Sequence, residues 1–127
     1  MPGPKDWLKK ASNDLKASKK LSDDDETLDC SVFHTHQCAE KAFKAFIVFA
    51  RQVIPKTHDL KFLLECCTKV DSELMFLLAE SNDLEAYGYG SRYPNDYFYV
   101  DKQRTKEAIE KAEKILITVK IKLDNQI

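Results

Sequence analysis

Residues 28–53, LDCSVFHTHQCAEKAFKAFIVFARQV, decide the fold. Val32, Thr35, Ala39, Ala42, Phe46, Phe49 and Val53 recur at helical spacing, and Phe33, Phe43, Ile47 and Ala50 form a second stripe beside them. A helix with one apolar stripe sits on the outside of a bundle. Two adjacent stripes need partners over a broad face, so a helix from Leu28 to Val53 belongs at the centre. Small Ala39 and Ala42 let a neighbour approach closely. Pro55 ends the helix or follows just after its end.

Four further helices cover this one. The first runs from about Asp6 to Lys20, with Leu8, Ala11, Leu15 and Ser18 inward and lysines on the other face. The third starts near Asp59, with Thr57 as candidate N-cap and Leu60, Leu63, Leu64 and Cys67 inward. The fourth starts near Asp71 or Ser72 and carries Leu74, Leu77, Leu78 and Leu84. The fifth runs from Lys102 to Asp124, with Ile109, Ala112, Leu116, Val119 and Leu123 inward. Short connections and no internal repeat give an all-α, up-and-down bundle of about five helices, a single domain over residues 1–127.

Composition agrees. A chain of 127 residues, 43% apolar, can build one core, and three glycines with four prolines argue against a turn-rich β protein. The formal net charge of −1 gives no global field for nucleic acid, so any RNA contact must come from a local patch. Cys30, Cys38, Cys66 and Cys67 fall in helices without Cys-x-x-Cys spacing; they read as buried reduced thiols, with neither zinc nor disulfide. The run Asp23-Asp24-Asp25-Glu26 reads as a solvated loop that favours the positive end of the next helix. The absence of an apolar leader or membrane-length run leads to the expectation of a cytoplasmic protein without membrane partners.

Chemistry concentrates in the turn Arg51-Gln52-Val53-Ile54-Pro55-Lys56-Thr57-His58. A guanidinium can hold a phosphate and an imidazole can move a proton. Lys56 adds a cation to the same turn. With Thr57 as the cap, His58 lies in the first turn of the third helix, whose unpaired N–H groups would welcome a phosphate. On a straight second helix His36, Glu40, Lys44 and Arg51 form one polar strip, with Glu40 and Arg51 about 16 Å apart along the axis and Lys44 within reach of Glu40. That strip reads equally as a solvated face or as a groove wall or dimer seam. Arg51 could instead pair with helix-end carbonyls, and His58 could be an ordinary helix-start residue. His34 and His36 read as surface or interface histidines, His36 being the better site candidate. All five tyrosines lie between residues 87 and 99, around Gly88, Gly90, Arg92 and Pro94. This loop reads either as a lid on the bundle or as a platform where a base stacks while Arg92 meets phosphate.

The run Gln37-Cys38-Ala39-Glu40-Lys41-Ala42, the Arg51–His58 pair with six residues between, and the later Arg92-Tyr93-Pro94 together resemble the HEPN family, over most of the chain from Trp7 onward. The family carries an Arg, four to six residues, then a His. The resemblance implies a homodimer whose Arg–His motifs line a shared cleft, and metal-independent endoribonuclease activity, often as the toxin or defence effector of a two-part system. Metal-free RNA cleavage needs a base for the 2′-OH proton, a cation for the charge on phosphorus and an acid for the leaving 5′-oxygen. His58 and Arg51 supply proton transfer and charge; a second subunit fills the remaining role. Arg92, Tyr93, Lys56, Glu40, Lys44 and His36 are the candidate RNA- or nucleotide-binding residues. No cofactor or metal is called for. The alternative is a nucleotide-binding module, or an inactive helical partner of a nucleotidyltransferase antitoxin. Many such toxins have a tyrosine two residues after the histidine; here Leu60 stands there, so silencing by modification of that tyrosine cannot occur.

Overall fold

A computed structural model describes residues 2–89, 94 and 98–124. The described residues form five α-helices: α1 (Pro4–Leu21), α2 (Leu28–Phe49), α3 (Leu60–Val70), α4 (Leu78–Glu85) and α5 (Lys102–Asp124). The bundle expectation holds, and α2 is the central element, in contact with α1, α3, α4 and α5. Most of its two stripes lies where the sequence puts it: Val32, Ala39, Ala42, Phe43, Phe46 and Ile47 are buried in one core with Ala11 and Leu15 of α1, Leu60, Leu63, Leu64 and Cys67 of α3, Leu84 of α4, and Ala112, Leu116, Val119 and Leu123 of α5, while Phe33 and Ala50 are only partly buried. Ala39 and Ala42 are fully buried, as close helix approach requires.

Three boundaries differ from expectation, each for a local reason. The second helix stops at Phe49 rather than Val53. Arg51 adopts φ 59°, its N–H bonds Val48 O at 3.0 Å, and the Gln52 N–H bonds Ile47 O at 3.1 Å. This pair of bonds is the Schellman stop, with Arg51 in the left-handed position that glycine usually fills. Val53 is therefore no core residue; it is 92% exposed. The third helix is capped by Asp59, whose carboxylate accepts the Phe62 N–H at 3.2 Å; Thr57 Oγ1 instead accepts the Asp59 N–H at 3.1 Å, one turn of chain earlier. The fourth helix begins as a 3-10 segment, Ser72–Leu77, which buries Leu74 and Leu77 before α4 proper.

Candidate functional site

The polar strip of α2 is neither a solvated face nor an open groove wall. His36, Glu40 and Lys44 are all buried. Successive steps of four residues stack them on one side of the helix, and the side is covered by α4 and by the turn before α3. Glu40 is the hub. One carboxylate oxygen, Oε2, accepts from Lys44 Nζ at 3.0 Å. The other, Oε1, lies 2.9 Å from His58 Nδ1 and 4.0 Å from His36 Nδ1. A carboxylate without its proton only accepts, so against it Nδ1 is the donor, and in the neutral ring Nε2 then carries the lone pair. The His58 side chain is 79% exposed while Glu40 is buried. The imidazole is thus anchored at its inner nitrogen with the rest of the ring in solvent.

His58 precedes the Asp59 cap and so lies outside α3, not in its first turn. Nor are the first N–H groups of α3 available to a phosphate. Glu85, the last residue of α4, accepts the Leu60 N–H at 2.7 Å and also bonds the Lys61 N–H. Burial pushes the Glu85 carboxyl above its ordinary range, against the lowering effect of these backbone bonds. Its other oxygen lies 3.7 Å from His36 Nε2. Buried His36 therefore stands between two carboxylates, one holding His58 and one holding the start of α3. A Cβ on Gly88 would lie 2.5 Å from His36 Nε2, so the chain entering the tyrosine loop passes against this ring only because residue 88 is glycine.

Arg51 does not extend the strip. Past the helix end, it is exposed at the start of the same turn that ends in His58, and Lys56 is exposed within that turn. Arg92, Tyr93 and Tyr97 lie outside the described residues. Of the other tyrosines, Tyr87 packs edge-on against Phe98 with ring centres 6.1 Å apart, while Tyr89 and Tyr99 are largely exposed. His34 leaves the site altogether: its Nδ1 meets Asp14 of α1 at 2.8 Å, beside the Lys41–Asp14 contact at 2.6 Å. Sequence reasoning missed Glu85. The signal was there: an acid in the last turn of a helix opposes the helix dipole and needs another reason to be there.

Among the described residues no group of three or more His, Cys, Asp or Glu side chains could hold a metal ion. Cys38 and Cys67 are buried, and burial pushes the Cys38 thiol up to about 12; against expectation, Cys30 is exposed in the first turn of α2 and Cys66 is only partly buried. No described helix is long and apolar enough to cross a membrane.

Comparison with known proteins agrees with this architecture. A crystal structure described as an archaeal HEPN homologue, ST0689, superposes with a TM-score of 0.76 at 26% identity, covering 97% of this chain and 99% of that one. A protein of Methanocaldococcus jannaschii named "Putative toxin MJ1304" is 28% identical over 128 residues, covering 90% of this chain and 84% of that protein. The HEPN domain family matches residues 4–122. The chain belongs to the HEPN domain family.

Proposed function

We propose that this HEPN protein is a metal-independent endoribonuclease acting as a homodimer, and that it serves as the toxin of a two-part system. The observation that carries the reading is the buried Glu40 carboxylate at 2.9 Å from Nδ1 of an exposed histidine. A solvated surface histidine needs no such anchor. A histidine that must present one nitrogen to a substrate does. In the proposed reaction Nε2 of one His58 takes the ribose 2′-OH proton and the 2′-oxygen attacks the adjacent phosphorus. The P–O5′ bond breaks, and the His58 of the second subunit, in its imidazolium form, gives its Nε2 proton to the leaving 5′-oxygen. The products are a 2′,3′-cyclic phosphate and a 5′-hydroxyl, with no net proton gained or lost. Arg51 faces the phosphoryl oxygens and offsets the charge that builds there. Glu40 keeps the proton of His58 on Nδ1, and Lys44 holds Glu40 in place. The toxin assignment draws on the name of the Methanocaldococcus relative.

The test is a mixed RNA pool incubated with the protein in EDTA. Products with 2′,3′-cyclic phosphate ends are expected; intact RNA in the presence of a folded dimer contradicts the reading. A second reading, a nucleotide-holding partner of a nucleotidyltransferase, is favoured by exposed Tyr89 and Tyr99 at either side of the Arg92 segment. It predicts a rise in Tm with millimolar ATP that is lost in Arg92→Ala, and no cleavage.

A further inference from the structure

The outward face of α1 carries a line of lysines that the fold does not use. At about 100° per residue, Lys5, Lys9, Lys16 and Lys20 fall within an arc of about 60° and extend along about 22 Å of helix. All four are exposed. None of them enters an ion pair among the described residues, whereas Lys19 pairs with Glu113, Lys41 with Asp14, Lys44 with Glu40, Lys114 with Glu80 and Lys122 with Asp71. The arrangement works against the helix. Lys5 and Lys9, like Lys16 and Lys20, are like charges four residues apart, and Lys5 lies in the first turn, where the helix dipole disfavours a cation. A face that served only to meet water would be better built from alternating Glu and Lys. The two acids of α1 are occupied elsewhere: Asp6 accepts the Gly3 N–H and Asp14 meets Lys41 and His34. Six lysines and two aspartates leave α1 at +4 in a chain whose formal charge is −1.

Two clefts border the N-terminal part of this line. Lys5 lines one of about 300 Å³ with Leu8 and Phe49, and Phe49 ends α2 two residues before Arg51. Lys9 and Lys10 line another of about 600 Å³ with Trp7. The Trp7 ring carries Lys44 Nζ at 5.8 Å from its centre, and Lys44 holds the Glu40 that holds His58.

We infer that Lys5, Lys9, Lys16 and Lys20 form a docking track for the phosphodiester backbone of single-stranded RNA. Its purpose rests on the ribonuclease reading; its test does not. A row of separate cations over this length matches a polymer of repeated negative charge rather than a mononucleotide, and lysine, a point charge, holds a strand without reading its sequence.

Binding is measured by anisotropy of a labelled, unstructured RNA of about 20 nucleotides in EDTA, with every protein carrying His58→Ala so that the strand survives. The fourfold Lys→Gln variant at positions 5, 9, 16 and 20 removes two repulsive pairs, so its fold is secure and circular dichroism checks it. Its affinity is expected to fall at least tenfold at about 100 mM salt, and the slope of log K against log salt to shrink by about 3, at about 0.7 per lost contact. The fourfold Lys→Arg variant is expected to bind as before. Unchanged affinity and slope in the Gln variant would overturn the track. So would equal competition by a polyglutamate of matched charge, which points to an acidic protein instead. With His58 restored, a dinucleoside monophosphate, too short to reach the track, separates the two ideas. Its cleavage at the wild-type rate by the Gln variant supports both; RNA binding along the track with no cleavage of any substrate overturns the nuclease reading and leaves the track standing.

Discussion

Arg51 holds the least comfortable backbone in the described chain, a non-glycine residue at φ 59°. That conformation costs an L residue roughly 1–2 kcal/mol, and glycine would avoid the cost. A strained arginine in the same turn as an anchored histidine is a reason to look for chemistry there. Arg51→Gly should therefore raise stability by about 1 kcal/mol in urea denaturation while lowering RNA cleavage about 100-fold or more. A purely structural arginine would give no loss of cleavage. Glu40→Gln should lose on both counts. It leaves the buried Lys44 ammonium facing a neutral amide and frees the His58 ring. A stability loss of about 1–3 kcal/mol and a fall in kcat larger than any change in KM are expected. As residue types, Arg51, His58, Glu40 and Lys44 were legible in the sequence, and so was the Glu40–Lys44 pair four residues apart. The place of His58 was not, because a straight helix says nothing of where the turn after it leads. The Schellman stop at Arg51 turns the chain, and the turn that follows brings His58, not Arg51, onto Glu40.

At the scale of elements, periodicity found every helix and nearly every inward residue, since burial of an apolar stripe is what makes these helices stable. It found both ends of α5 but not the end of α2 or the residue that caps α3. The stop of α2 depends on two backbone bonds with no glycine to announce them, and the start of α3 depends on which of Thr57 and Asp59 reaches the helix N–H groups. The contact between elements that matters most for the site, Gly88 against His36, is legible only in three dimensions. A methyl at Gly88 meets the buried ring at 2.5–2.7 Å, so something must move. Gly88→Ala should cost about 1–3 kcal/mol. In a His36→Ala background the same substitution should cost far less, and a double-mutant cycle by thermal or urea melting measures the difference. Additive effects would mean that the ring and the glycine do not communicate.

The whole molecule is held by one core and by ion pairs that cross between helices: Lys19–Glu113, Lys114–Glu80, and Lys122 with Asp71 and Glu73. The hydrogen bond from Lys122 holds the Asp71 carboxyl below its ordinary value of 3.8. A depressed folded value means that the ionised form favours the folded state. Its contribution is fully present above pH 3.8 and is lost as pH falls through the lower folded value. Melting curves from pH 5 downward should therefore show wild type losing stability faster than Asp71→Asn, and parallel curves would contradict the pairing. The near-zero total charge hides a basic α1, which is why composition alone pointed to a local patch without locating it. The measurement closest to the central claim is the single-turnover rate of RNA cleavage in EDTA by wild type and His58→Ala, both verified as folded. The account predicts cleavage by wild type and a loss of about 100-fold or more in the variant. Equal rates would contradict it.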